Sequence, residues 1–134
     1  MTSRIIPFRT PVEGQHTAPD RAAILDGAPK LTVWNHYSDS TQQFFCGVWG
    51  ATRGRWRVRY TEHEFCHILA GRVAVTGEDG ERQEFGTGDS FVVPTGFHGT
   101  WEVLEDCRKL YAIFEPRADV STDPQSGALA GPQV

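Results

Sequence analysis

Cysteine is scarce in this chain, and long apolar runs, a positive-charge excess and helical periodicity are missing. Cys46, Cys66 and Cys107 are the whole thiol complement of 134 residues. The number is odd and no pair has CxxC spacing, so neither a disulfide framework nor a zinc knuckle is expected. Cysteines inside apolar runs behave as small hydrophobes, and buried, reduced thiols are expected instead. No apolar stretch approaches the roughly 20 residues that span a bilayer. The N-terminal MTSRIIPFRTPVEGQ lacks the apolar core of a secretory signal, which makes a cytoplasmic location without a membrane partner the expectation. Thirteen Lys and Arg face 17 Asp and Glu, for a formal net charge of -4. Such a balance does not displace counterions from phosphates, so nucleic acid is not an expected partner.

What is present is a succession of short β-type runs. Residues 1–30 are rich in Pro, Thr and Gly and read as an extended arm. Asp20 is placed to cap a short helical turn over residues 21–25, ended by Gly27. From Leu31 onward the pattern is that of strands: 31–37, 44–51, 55–61, 64–71, 72–77, 81–88, 89–94, and one or two more in 101–116. Asp79-Gly80 between alternating runs signals a hairpin whose turn positions take positive φ. Residues 117–134 are rich in Pro, Gly, Ala and Ser, show no period, and read as an irregular tail. The expected domain, 31–116, is thus an all-β sandwich, barrel or jelly roll.

One motif points elsewhere. Residues 63–67 read HEFCH, matching the H-E-x-x-H of zinc proteases. That chemistry needs a helix, which puts both His on one face. The flanks are β-branched and aromatic, and Gly71 follows within a turn. On a strand, His63 and His67 share one face and Glu64 takes the other, so the three cannot meet.

Two other segments fit together. Glu64-FCHILA-Gly71 is followed, after a hairpin-length stretch, by Gly88-DSFVV-Pro94-Thr95-Gly96. The pair resembles the two motifs of the cupin superfamily. Further matches are Gly47-Val48-Trp49, the run Trp56-RVR-Tyr60-T-Glu62-H-Glu64-F-Cys66, Gly88-Asp89-S-Phe91, Gly99-Thr100-Trp101 and Arg108-Lys109-L-Tyr111. Over about residues 45–115 the chain is similar to the small cupins typified by the (S)-ureidoglycine aminohydrolase cupin domain. The resemblance implies a double-stranded β-helix, that is, a jelly-roll barrel, with a small-molecule site inside and a tendency to dimerise.

Cupin enzymes usually hold a divalent metal through three His and one Glu. Counting back from Glu64, the H-x-H positions fall on Val58 and Tyr60 or on Arg57 and Arg59, and the last His position falls on Gly99. Only Glu64 and His98 remain as metal-ligand candidates, too few for a tight Zn, Mn or Ni site. A cupin without a tightly held metal is therefore the first expectation, and a metal enzyme with an atypical ligand set the alternative.

Strand alternation turns Tyr60, Glu62, Glu64, Cys66 and Ile68 to one side. With that side inward, Glu62 and Glu64 become candidate catalytic carboxylates. Trp49, Trp56, Tyr60, His98, Trp101, Lys109 and Tyr111 become candidate ligand contacts. Two readings of the carboxylates stand side by side: an acid–base pair, or structural ion pairs with Arg57, Arg59 or Lys109. The tryptophans likewise read as core or as a ligand platform. The opposite side carries His63, Phe65, His67 and Leu69, too apolar to stay wet, so a facing sheet, an arm or a partner subunit is expected to cover it. The functional expectation is a small cupin for an amide-, ureide- or carboxylate-like metabolite, with a non-catalytic binding module as its rival.

Overall fold

The computed structural model describes residues 3–117; of the expected irregular tail, 117–134, all but Arg117 lies outside the described residues. The described strands are β1 (Gln15–Thr17), β2 (Ile24–Gly27), β3 (Leu31–Ser38), β4 (Phe44–Ala51), β5 (Gly54–Arg59), β6 (His63–Gly77), β7 (Arg82–Gly86), β8 (Ser90–Val93) and β9 (His98–Phe114). All pair antiparallel in one sheet that curls on itself into a jelly-roll barrel. The chain at 63–67 is strand, so the zinc-protease geometry is absent there.

The two longest strands close the barrel. The first half of β6 and the second half of β9 lie in a layer ordered β1-β3-β4-β9-β6-β8. Their other halves lie in a layer ordered β2-β5-β9-β6-β7. Instead of the two strands expected over 64–77, one bent strand runs through both layers. The bend sits at Gly71, with register shifts between Ile68 and Val73. Gly71 has φ +88°, and a Cβ there would lie 2.2 Å from the Asp106 carbonyl oxygen, so only glycine fits this corner. The extra residues also change the phase of β6. Glu64, Cys66 and Ile68 are buried before the corner; Val73 and Val75 are buried after it.

The arm is extended, and two stretches of it join the layers, β1 on β3 and β2 on β5. The helical turn expected over 21–25 is shorter, a 3-10 turn at Arg21–Ala23 capped by Asp20. Ile24, β-branched, pairs with Trp56 and continues as strand. The Asp79-Gly80 hairpin forms with a three-residue loop, Gly77 N–H bonding Glu81 O at 3.0 Å. Only Gly80 there has positive φ, because Asp79 uses its carboxylate to accept the Glu81 N–H instead.

Candidate functional site

The alternation of β6 and the turn before it produces one polar wall. Tyr60, Glu62, Glu64 and Cys66 are each buried, and all point into the barrel. Tyr60 is fixed from both sides: its N–H donates to Phe97 O at 2.9 Å, and its carbonyl accepts from Gly96 N at 2.8 Å. Its hydroxyl then donates to Glu64 Oε1 at 2.8 Å. Glu64 Oε2 lies 3.0 Å from Lys109 Nζ, both side chains fully buried. This contact is one of charges rather than an aligned hydrogen bond. Lys109 is the buried cation that the ion-pair reading of Glu64 required. Arg57 instead turns outward, donating to Ala22 O at 3.1 Å.

The ammonium of Lys109 is held by more than charge. It lies 4.4 Å from the Trp49 ring centroid and 4.2 Å from that of Trp101, and donates to Cys66 Sγ at 3.4 Å. Burial alone would push Lys109 down; the Cys66 sulfur and the Glu64 carboxylate outweigh it and raise it. Burial raises the Tyr60 hydroxyl, and the neighbouring Glu64 charge adds to the shift. Tyr111, whose hydroxyl donates to Asn35 Oδ1 at 2.6 Å, is raised mainly by burial as well.

Glu62 differs from Glu64. Its Oε1 accepts from Thr61 N at 3.0 Å, but its Oε2 has no hydrogen-bond partner among the described residues. Burial pushes its carboxyl up to about 7, with the Glu64 and Glu115 charges acting in the same direction. Trp49, Trp56 and Trp101 form one cluster, with centroids 6.5 Å apart for Trp49 and Trp56 and 5.9 Å for Trp49 and Trp101. The indole N–H of each is buried and also has no partner among the described residues.

His98 does not join this group. On β9 Trp101 and Val103 are buried before the corner and Cys107, Lys109, Tyr111 and Ile113 after it, so His98, out of phase with Trp101, faces outward with Thr100. It lines a surface cavity with Arg57 and Arg59, 3.9 Å from Glu78. Glu64 and His98 therefore cannot share a metal. Among the described residues no group of three or more His, Cys, Asp or Glu side chains is arranged to hold one. The charge of Glu64 is met by Lys109, and the ordinary cupin ligand set does not fit the residues present.

The sequence reading missed a cavity of about 530 Å³ between the tip of the β6–β7 hairpin and β8. Phe85, Phe91 and Phe97 line it, with Gln83, Asp79 and Glu81. Phe85 and Phe91 stack with centroids 3.9 Å apart, and Phe91 lies 5.9 Å from Trp101. One aromatic layer thus separates the cavity from the ring over Lys109. The available signal was phase: Phe91 and Val93 alternate inward just before Pro94.

A jelly-roll barrel with a buried polar wall defines a cupin. The chain belongs to the EutQ-like cupin domain family, which residues 39–111 match. A search of the curated proteins finds no match. Among solved structures, a protein of unknown function from Pseudomonas syringae pv. tomato is similar at 24% identity, with a TM-score of 0.71, over 81% of this chain and 46% of that one. This chain therefore spans about half the length of that relative. A predicted oxalate decarboxylase from Thermotoga maritima aligns over 84% of this chain and 100% of its own, at 12% identity and a TM-score of 0.65. A putative ethanolamine utilization protein from Salmonella typhimurium aligns over 80% of this chain and 99% of its own, at 14% identity and a TM-score of 0.59. At these identities the likeness is one of fold. No helix among the described residues is long and apolar enough to cross a membrane.

Proposed function

We propose that this small cupin binds a small polar metabolite of amide, ureide or carboxylate type in its barrel, with Glu62 as the proton-exchanging group. What carries the reading is the set of buried polar atoms without a protein partner, Glu62 Oε2 and the indole N–H groups of Trp49, Trp56 and Trp101. Each such group costs about 1–3 kcal/mol when left unpaired, and a ligand with both donors and acceptors recovers that cost. The resemblance to ureidoglycine aminohydrolase cupins puts ureides first among the probes.

The rival reading, a binding module without turnover, draws support from Glu64. Tyr60 and Lys109 engage both its oxygens, leaving Glu62 as the one carboxylate of the pair that is free to exchange a proton. No tightly held cofactor belongs to this proposal. A Mn, Ni or Zn enzyme would first have to free Glu64 from Lys109. The partners proposed are the metabolite and a second copy of the chain.

Calorimetric titration with ureides, amides and small carboxylates tests the reading. Saturable binding, weakened about tenfold or more in Glu62→Gln, is expected, because a charge-assisted hydrogen bond is lost. Product formation in the same samples separates enzyme from module. Failure of every probe to bind would overturn the proposal.

A further inference from the structure

We infer that the cavity between the β6–β7 hairpin and β8 is a site for a small alkyl-substituted ammonium ion. The inference goes beyond the barrel site proposed above and concerns a second cavity of the same fold.

Three features of the cavity point to that class. Its floor is aromatic: Phe85 and Phe91 are stacked, and Phe97 stands beside them against Tyr60 with ring centroids 6.1 Å apart. Aromatic faces carry negative partial charge and attract cations, while the apolar floor favours alkyl groups over water. The rim is acidic. Asp79 and Glu81 line it, and Asp79 spends one oxygen on the Glu81 N–H at 2.9 Å. No Lys, Arg or His lines the cavity among the described residues. The cations nearest in sequence, Arg72 and Arg82, lie on the other face of the hairpin, where Glu84 holds both.

The alternation of β7 produces this separation of charge. Gln83 and Phe85 face the cavity, whereas Arg82 and Glu84 face away. A carboxylate ligand would meet only repulsion at the rim. A neutral amide would find Gln83 and could donate to a carboxylate, but it brings no positive charge to the acidic rim or the aromatic rings. At about 530 Å³ the space suits a metabolite-sized ion rather than a peptide.

The probe is tetramethylammonium chloride, compared at equal ionic strength with sodium chloride, tert-butyl alcohol, acetamide and sodium propionate. Binding is followed by amide NMR shifts of Gln83, Phe85, Ser90 and Phe91. Saturable shifts at these positions with tetramethylammonium alone are expected. Glu81→Gln, at an exposed position, and Phe85→Leu, which keeps an apolar floor without the ring, should each weaken binding about two- to thirtyfold, the range of a cation–aromatic or exposed charge contact. Circular dichroism of both variants verifies the fold. Groove shifts with acetamide or propionate but not with tetramethylammonium would overturn the ammonium assignment and leave the metabolite reading standing. No saturable shift at these positions with any probe would overturn the inference, while the barrel reading stands or falls by its own calorimetric titration.

Discussion

At the scale of residues, the interior turns on which carboxylate owns a cation. Glu64 and Lys109 are both fully buried, and each is the other's charge partner. A buried ion pair adds little over an apolar pair of the same shape, but removing one member strands the other. Lys109→Met should therefore cost about 3–5 kcal/mol, and Lys109→Met with Glu64→Gln should recover much of it; denaturant melts of the two variants give the comparison. Glu62 has no such partner. Its carboxyl titrates near 7 in the folded chain, above its ordinary 4.5. Between those values the unfolded chain has released a proton that the folded chain still holds, so stability falls as pH rises through that window. The penalty is complete above about 7 and of the order of 3 kcal/mol. Glu62→Gln should raise the melting temperature at about pH 8 and leave it nearly unchanged at about pH 4.5. The inward set Tyr60, Glu62, Glu64, Cys66 and Ile68 was legible in the sequence, because strand period fixes the side and Glu64 anchors it. The partner of Glu64 was not, since Lys109 lies 45 residues away and strand parity does not say which cation reaches across a barrel. His98 shows the same limit from the other direction: one residue of phase separates an interior ligand from a surface side chain.

At the scale of elements, the corner in β6 decides whether there is a barrel at all. The Glu64–Gly71 and Gly88–Gly96 spacings made the corners visible as glycines, but not how differently they work. Gly71 has φ +88° with the Asp106 carbonyl where a Cβ would be; Gly88 has φ +92° with nothing within 4 Å. Gly88→Ala should thus lose only the conformational cost of a left-handed residue, about 1–2 kcal/mol. Gly71→Ala adds a backbone clash and should cost well over that or prevent folding, as thermal melts of the two variants will show. The continuity of 63–77 as one strand was hidden for the same reason. Gly71 looks like a stop in a one-dimensional pattern, whereas in space it is where one strand passes from one layer to the other and changes the parity of its inward face. Hence the period that located Glu64 could not be carried past residue 71 to locate Val73, Val75 and the cavity beyond them.

At the scale of the molecule, one face has no cover among the described residues. Registers place Phe65 between Ala112 and Val92, Ala112 beside Cys46, and Cys46 beside Tyr37, with His63, Phe114 and Phe44 forming the next row. The result is an apolar patch across β3, β4, β9, β6 and β8, with Phe65 45% and Val92 60% exposed. The chain's own arm covers a different part of this layer, where Phe8 stacks on His36 at 4.3 Å. Monomers rarely leave a contiguous patch of several hundred Å² wet, since each Å² covered is worth about 25 cal/mol. A two-fold partner using the same face buries it on both chains at once, and a stable dimer needs only about 800 Å² per subunit. Sedimentation at micromolar concentration should therefore give a dimer. Phe65→Glu puts a charge at the middle of the patch while pointing away from the core, so it should give a folded monomer. A monomeric parent chain, or a variant that sediments as the parent does, would show that the face serves some other contact.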